Sequence, residues 1–220
     1  MSSIIGDIVA QEAHTMGLKL SAGQIDSFVL YAAEMKKWNS KVNLTAITKD
    51  KEIAVKHFVD SLSLAPYLTA SDRLLDIGSG AGLPIIPLKI IRPEIHMVSV
   101  DAVAKKIHFQ RHIIRLLNLQ NIEAVHARVE DLHKTHHHTF SIITSRAFTR
   151  LDRFVSLAAP LLSEGGMLVA MKGDHAESEI VASDETFEAE GFTVTSIHRY
   201  TLPLGMGERV LTCIKRSKAS

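Results

Sequence analysis

The chain has 220 residues, of which 46% are hydrophobic and 22% are charged, and its formal net charge is +1. This ordinary globular composition argues against intrinsic disorder and provides no overall attraction to polyanions. No apolar run approaches the length of a membrane span and the N-terminus lacks a secretory leader pattern, so we expect a cytoplasmic protein without a membrane partner. The single cysteine, Cys213, excludes an internal disulfide and a cysteine-based zinc site.

Residues 1–70 have the hydrophobic periodicity of helices. Apolar residues between Ile4 and Val9 form one stripe, and Ser21 with Gln24 has the spacing of a capping box for a helix that runs to about Trp38. A loop is predicted over residues 39–48 and a third helix over residues 50–68. We therefore predict an N-terminal helical cap over residues 1–70 and a second domain over residues 71–220.

From Ser71 onward, strand-like and helical runs alternate, which is typical of a mostly parallel α/β sheet covered on both faces. The predicted strands are Arg73–Ile77, Ile95–Val100, Ile122–His126, Phe140–Thr144, Gly166–Met171, Phe192–Tyr200 and Arg209–Lys215. The predicted helices are Pro84–Ile91, Ala104–Asn118, Leu151–Leu162 and Ala176–Glu190. Because only residues 201–208 separate the last two strands, we expect these strands to pair as an antiparallel edge hairpin.

The most informative stretch follows the first predicted strand, where Gly78, Gly80 and Gly82 alternate. Glycines at this spacing allow a strand-to-helix turn so tight that the backbone can approach a ligand. The second strand delivers Asp101 about twenty residues later, where a carboxylate can accept hydrogen bonds from both hydroxyls of a ribose. These features predict a nucleotide-cofactor site, with a plain strand-to-helix turn as the alternative.

The glycine spacing indicates which cofactor is bound. It is G-x-G-x-G rather than the dinucleotide pattern G-x-G-x-x-G, and Leu83 stands where that pattern needs its third glycine. Asp76 would repel a pyrophosphate, but it suits the ammonium and sulfonium groups of S-adenosylmethionine. We therefore predict S-adenosylmethionine as the cofactor and a Rossmann-like class I methyltransferase fold with seven strands. An NAD-dependent oxidoreductase is the alternative from another enzyme class.

Five segments resemble the bacterial GidB/RsmG family, in register from about Trp38 to the C-terminus. They are Trp38–Ile47, His57–Leu62, Leu75–Pro84, Ser145–Phe148 and Met171–Gly173. One position departs from the family pattern, because Ile85 stands where the family usually has glycine. A branched side chain at the start of the helix can narrow the approach to the cofactor, although it does not touch the three motif glycines.

The resemblance implies methyl transfer from S-adenosylmethionine to N7 of guanine 527 in the 530 loop of 16S ribosomal RNA, free or within the small ribosomal subunit. It also implies cofactor contacts at Gly78, Leu83, Val129, Glu130 and Arg146. A helix-start acid is the alternative for Glu130, and an exposed loop arginine for Arg146. The complete predicted cofactor site is Asp76, Gly78, Gly80, Gly82, Leu83, Asp101, Val129, Glu130 and Arg146. A non-catalytic ribosome-assembly module that binds the cofactor is a further alternative.

Absent motifs favour methylation of a ring nitrogen. Methylation at C5 of a pyrimidine needs a thiolate, and Cys213 is predicted mid-strand, far from the glycines. Residues 144–148 lack the Asn/Asp-Pro-Pro-aromatic run usual in methylation of exocyclic amines. Guanine N7 carries a free lone pair and needs orientation more than a general base. We assign catalytic roles to Arg128, Arg146 and Lys172, as a basic ring around guanine O6 and the flanking phosphates, with Phe148 as a stacking surface.

Three further groups of residues have compositions that resemble functional sites. His57, Asp60 and Ser61 have the composition of a hydrolase triad, but neighbours on one helix cannot relay a proton around a substrate, so we expect them to fix the cap onto the sheet. The residues His136–His138 are predicted to form a solvated loop, and no metal is expected. A basic cluster on one predicted helix is either a solvated face or a phosphate-binding edge; it comprises Lys105, Lys106, Arg111 and Arg115. We expect a monomer.

Overall fold

The computed structural model describes residues 3–146, 149–173 and 176–217. Its strands are β1 (Arg73–Ile77), β2 (His96–Asp101), β3 (Ile122–His126), β4 (Phe140–Arg146), β5 (Leu162–Lys172), β6 (Phe192–Thr201) and β7 (Glu208–Arg216). They form one sheet in the order β3-β2-β1-β4-β5-β7-β6. Only β7 runs antiparallel to its neighbours, β5 and β6. The predicted sheet and its antiparallel edge hairpin are confirmed.

The helices pack around this sheet. Those before β1 are α1 (Ile4–Thr15), α2 (Ala22–Val42), α3 (Asp50–Glu52), a π-helix (Ile53–Val59) and α4 (Asp60–Leu62). Those after it are α5 (Ile85–Ile91), α6 (Ala104–Leu116), α7 (Val129–Leu132), α8 (Leu151–Ala158) and α9 (Ala176–Ala189). The capping box at the start of α2 is present, because Ser21 Oγ accepts from the Gln24 amide at 3.3 Å and Gln24 Oε1 accepts from the Ser21 amide at 2.9 Å.

Several predicted helix boundaries are wrong, each for a local reason. Helix α2 continues to Val42 and ends at Asn43, which adopts the left-handed conformation typical of a helix C-terminus, with φ 47°. Helix α8 ends at Ala158 rather than Leu162, since Pro160 cannot continue a helix. The third predicted helix is divided by the π-helical turn and ends at Leu62.

The core lies on both faces of the sheet, because neighbouring strand residues point in opposite directions. Leu74 belongs to the hydrophobic cluster that also contains the cap helices, and Leu75 to the cluster under α8 and α9. In the first cluster the ring of Tyr31 on α2 lies 5.2 Å from that of Phe58 and 6.1 Å from that of Phe109 on α6. The cap therefore shares a core with the sheet, while a division at residue 70 stays a prediction.

Within the described ranges, no helix is both long enough and apolar enough to cross a bilayer.

Candidate functional site

The glycine loop after β1 has the backbone conformation that its sequence predicts. Gly78, Gly80 and Gly82 have φ values of 70°, 58° and 87°, in the left-handed region that favours glycine. The buried Gln110 of α6 holds the loop from behind. Its Nε2 donates to Ser79 Oγ and to the Gly80 carbonyl, both at 2.8 Å. Gln110 could not be predicted from the sequence, because no motif marks a glutamine on a separate helix.

Replacing Gly82 by Ala is expected to destabilise the fold more than replacing Gly80. Each alanine costs about 1–2 kcal/mol for the left-handed conformation. A Cβ atom at Gly80 meets no atom within 4 Å, whereas one at Gly82 collides with Ile86 Cδ1 and lies 2.9 Å from Ile86 Cγ1. Overpacking adds about 1–3 kcal/mol at Gly82. Urea denaturation of both variants measures the difference, and equal losses would contradict this account of the loop.

The cap contacts the same loop through Tyr31. Its hydroxyl donates to the Ala81 carbonyl at 2.5 Å, and the side chain is fully buried. Burial raises the pKa of Tyr31 above its ordinary value, so the hydroxyl remains a donor. The loop is therefore held by α2 on one side and by α6 on the other.

Tyr31→Phe should destabilise the protein by ~1–2 kcal/mol, because it leaves the Ala81 carbonyl buried without this donor. It should also weaken ligand binding at the loop, since α2 no longer holds its backbone. Denaturation and calorimetric titration with S-adenosylmethionine measure the two effects. Tyr67→Phe is the matched control, because the Tyr67 hydroxyl hydrogen-bonds to Cys213 rather than to the glycine loop, and this change should leave ligand binding unaltered. Unchanged stability of Tyr31→Phe would mean that the cap does not hold the loop.

Two carboxylates lie beneath this loop, and they differ in their hydrogen bonding. Asp101 is engaged, because Oδ2 accepts from the Gly80 amide at 2.9 Å and Oδ1 from the Val103 amide at 2.8 Å. Each of these oxygens can accept one more hydrogen bond. Asp76 is fully buried, and neither of its oxygens has a hydrogen-bond partner among the described residues. An unpaired buried carboxylate is costly, which is typical of a site for a cationic ligand.

Burial raises the pKa of the Asp76 carboxyl well above its ordinary value, while the Arg146 guanidinium and the nearby Ile85 backbone amide oppose this shift. A cationic ligand beside the carboxyl would favour its ionised form for the same reason as Arg146. The pKa of the Asp76 carboxyl therefore depends on the charge of the group that binds next to it.

A cavity of about 550 Å³ opens at the carboxyl ends of β1, β2 and β3, and we call it the first cavity. Its volume is in the range of small-molecule sites. Of the predicted cofactor residues, Gly78, Asp101, Val129 and Glu130 line it. Glu130 also lies in the first turn of α7, where an acid stabilises the start of a helix. Its position therefore fits both interpretations, the cofactor contact and the helix-start acid.

The other predicted cofactor residues lie outside this lining: Asp76 is fully buried beneath the loop, and Arg146 lines a second cavity described below. Gly80, Gly82 and Leu83 belong to the loop itself, and the Leu83 side chain is buried in the core. Ile85 is likewise fully buried in the core. Its side chain lines neither this cavity nor the second cavity described below, and its effect on the approach to the cofactor stays a prediction.

A second cavity of about 410 Å³ lies at the carboxyl ends of β4 and β5. Its polar lining residues are Lys56, His57, Asp60, Arg146, Lys172 and Arg209. The structure thus brings Arg146 and Lys172 together, as predicted. Arg128 lines the first cavity instead, so the three predicted catalytic residues do not form one ring. Phe148, the predicted stacking surface, lies outside the described residues.

Three groups from the cap hold Arg146. Its Nη1 donates to the Lys56 carbonyl at 3.0 Å and to Asp60 Oδ2 at 3.3 Å, while Nη2 lies 3.5 Å from His57 Nδ1. Burial, helped by the Arg146 charge, lowers the pKa of His57 to about 4, so this imidazole is neutral at pH 7. His57 Nε2 in turn lies 2.9 Å from Thr45 Oγ1. The cap therefore sets the orientation of the arginine.

Asp60 connects the cap to the far side of the sheet. Its Oδ1 accepts from Tyr200 Oη of β6 at 2.8 Å and lies 3.7 Å from Arg209 Nε of β7. The prediction that His57 and Asp60 fix the cap onto the sheet is confirmed. Ser61 does not contribute, because its hydroxyl donates at 2.5 Å to the His57 carbonyl of its own helix. Tyr200 and Arg209 could not be predicted from the sequence, because no motif marks them.

Lys172 is already engaged at the rim of the second cavity. Its Nζ donates to the Thr149 carbonyl at 2.5 Å and to Glu179 Oε2 of α9 at 2.7 Å. A substrate group that uses this lysine must therefore compete with the Glu179 carboxylate.

The predicted basic cluster on α6 is divided by the structure. Arg111 has a structural role, because its Nε donates to the Ala124 carbonyl at 2.9 Å. Lys106 lines the first cavity, 3.9 Å from Asp101 Oδ2. Lys105 and Arg115 are exposed. The cluster is therefore neither a single solvated face nor a single phosphate-binding edge.

Two remaining predictions concern Cys213 and the histidine run. Cys213 is buried in β7 opposite Val169 of β5, away from the glycine loop as predicted. The histidine loop is more anchored than predicted: the His136 ring stacks on Phe140 with centroids 5.7 Å apart, and His138 Nδ1 lies 2.8 Å from the Leu162 carbonyl. In the part of the chain that the structure describes, no cluster of three or more His, Cys, Asp or Glu side chains could hold a metal ion.

Solved structures with the same fold include several methyltransferases. A precorrin-6y C5,15-methyltransferase from Geobacter metallireducens GS-15 has a TM-score of 0.57 and 15% identity, over 78% of this chain and 90% of that one. M. jannaschii TYW2, solved in complex with AdoMet, has a TM-score of 0.58 and 14% identity, over 71% of this chain and 74% of that one. The predicted Rossmann-like methyltransferase fold is confirmed.

Sequence relatives are much closer than these structures. A protein from Geobacter sp. (strain M21) named ribosomal RNA small subunit methyltransferase G is 47% identical over 96% of this chain and 97% of its own length. A protein of the same name from Geobacter sulfurreducens is 46% identical over 93% of this chain and 94% of its own length. The family model described as "GidB: rRNA small subunit methyltransferase G" matches residues 24–206. The chain therefore belongs to the GidB family.

Proposed function

We propose that this protein transfers a methyl group from S-adenosylmethionine to N7 of a guanine in 16S ribosomal RNA, at position 527 of the 530 loop by family resemblance. The observation that carries the proposal is the fully buried Asp76 carboxylate, which has no partner among the described residues beneath the glycine loop. A ligand with positive charges compensates this group, whereas a dinucleotide pyrophosphate would be repelled by it.

The residues around the first cavity fit S-adenosylmethionine. Asp76 lies fully buried beneath the glycine loop rather than in the cavity lining, and its negative charge would attract the cationic groups of the cofactor. Asp101 has one free acceptor site on each oxygen for the ribose hydroxyls. The Val129 amide and the Glu130 carboxylate, at the start of α7, would contact the adenine edge. When bound, this cofactor supplies an electrophilic methyl group on a sulfonium.

The second cavity suits a nucleotide of an RNA. Lys56, Arg146, Lys172 and Arg209 bring four cations to one concave surface, which favours phosphate and the guanine O6 acceptor. The cavity lies at the carboxyl end of β4, and β4 pairs directly with β1, the strand that leads into the glycine loop. Because guanine N7 has a free lone pair, the residues need only orient the base. Arg128 remains a proposed phosphate contact at the first cavity.

The names of the relatives support ribosomal RNA of the small subunit as the substrate. We further propose that the protein acts in the cytoplasm, as a monomer and without a metal ion.

Methyl transfer from tritiated S-adenosylmethionine to small ribosomal subunits tests the proposal. The subunits are purified from a strain that lacks this protein, and mass spectrometry identifies the labelled nucleoside. Label in 7-methylguanosine is expected, and label in another nucleoside would contradict the assignment. Retained cofactor binding without any label would favour a non-catalytic assembly module.

A further inference from the structure

We propose that Asp60 selects the base in the second cavity, by accepting hydrogen bonds from N1–H and the exocyclic N2 amine of guanine. This rests on the proposed function, because it names the group that recognises the proposed substrate. Of the described residues that line the second cavity, Asp60 is the only carboxylate, among four cations. Asp60 already orients Arg146 and connects the cap to Tyr200 and Arg209, and the proposal adds recognition of the base to that structural role.

The Asp60 carboxylate has unused acceptor capacity. Tyr200 Oη donates to Oδ1 at 2.8 Å and Arg146 Nη1 donates to Oδ2 at 3.3 Å. An ionised carboxylate has about four lone-pair sites, two on each oxygen. Arg209 Nε lies 3.7 Å from Oδ1, outside hydrogen-bond distance, and the Asp60 side chain is 4% exposed in the wall of the second cavity. One site on each oxygen therefore remains, which is what a bidentate contact with two adjacent donors requires.

Among the four RNA bases, guanine has the edge that matches this carboxylate. Its N1–H and N2 amine are neighbouring donors, whereas adenine has an unprotonated N1 acceptor at the equivalent position. Recognition through that edge also leaves N7, on the opposite side of the base, free for reaction. The Arg146 guanidinium lies beside the carboxylate, and it has further N–H groups that can donate to guanine O6.

The carboxylate would also favour the reaction itself. The N7 lone pair forms the new N–C bond while the C–S bond of the cofactor breaks and its electron pair stays on sulfur, and no proton is transferred in this step. Positive charge therefore passes to the guanine ring. A negative group held against N1–H stabilises that developing charge, because the site is already organised around it.

The test uses small subunits in which the target guanine of 16S ribosomal RNA is replaced by inosine, which keeps N7, O6 and N1–H but lacks the N2 amine. kcat/KM is measured on guanine and inosine subunits for the wild-type protein, Asp60→Asn and Tyr200→Phe. Tyr200→Phe is the matched control, because it removes the other hydrogen bond to Asp60 and keeps the carboxylate. Cofactor affinity is measured by calorimetry to establish that each variant is folded.

We expect inosine to lower the wild-type kcat/KM about 10–100-fold, the effect of one hydrogen bond to a charged group. The guanine-to-inosine ratio should fall to about 3 or less in Asp60→Asn, because the amine has then lost its charged partner. Tyr200→Phe should keep the wild-type ratio at whatever overall rate it has. A purely structural Asp60 would lower both rates equally and leave the ratio unchanged.

Equal wild-type rates on guanine and inosine subunits would overturn the proposal without any variant, and so would an unchanged ratio in Asp60→Asn. Both outcomes leave the proposed function intact. Failure of the proposed function is a different result, in which the wild-type protein does not methylate guanine subunits at all or labels another nucleoside.

Discussion

Asp76→Asn is expected to lower the affinity for S-adenosylmethionine about 10–100-fold while making the ligand-free protein more stable. Asn keeps the size of the side chain and removes its charge. The carboxylate is fully buried and has no hydrogen-bond partner among the described residues, so its ionised form costs the apoprotein ~1–3 kcal/mol. The same charge is what the cationic ligand requires, and stability and binding should therefore change in opposite directions.

The effect on stability should depend on pH. In the unfolded chain the Asp76 carboxyl titrates near its ordinary pKa, about 3.9. In the folded protein burial raises that pKa well above this value. The folded state therefore binds the proton more tightly, and stability is lost as pH rises from about 4 through the raised pKa. Asp76→Asn removes this loss, so its advantage should be absent at pH 3 and present at pH 7.

Denaturation at several pH values and calorimetric titration with S-adenosylmethionine measure the two effects. Asp26→Asn is the matched control, because Asp26 is exposed on α2 and the same change of charge should alter neither quantity. If Asp76→Asn bound the cofactor as tightly as the wild-type protein, the carboxylate would not contact the cation and the cofactor assignment would lose its main support.

Arg146→Lys is expected to lower kcat/KM for small ribosomal subunits about 100-fold with little change in cofactor affinity. Lysine retains the positive charge near Asp76, but it cannot reproduce the planar guanidinium that contacts the Lys56 carbonyl and Asp60 Oδ2. Loss of one donor that stabilises a transition state typically costs about 100-fold or more. The lost orientation should appear mainly in kcat/KM for the RNA substrate.

Steady-state methyl transfer and cofactor titration separate the two effects. Arg73→Lys, an exposed substitution at the start of β1, is the matched control and should leave both unchanged. A large loss of cofactor affinity in Arg146→Lys would instead support the role implied by family resemblance, in which Arg146 contacts the cofactor.

The sequence by itself determined the order of strands and helices along the chain and the place of the cofactor loop. The predicted bounds of β1 and β3 match the structure, because alternating strand and helix periodicity is a local property of consecutive residues. The left-handed conformations of Gly78, Gly80 and Gly82 also follow from their spacing, since glycine tolerates that backbone at little cost.

Only the tertiary structure decided how the site is supported and how its basic residues are divided. Gln110 and Tyr31 hold the glycine loop from separate helices, and Tyr200 reaches Asp60 across 140 positions of the chain. Such contacts form because buried polar groups need hydrogen-bond partners, and tertiary packing decides which groups are close enough. No pattern of neighbouring residues therefore predicts them. For the same reason Arg128, which follows β3, and Arg146, which ends β4, line different cavities.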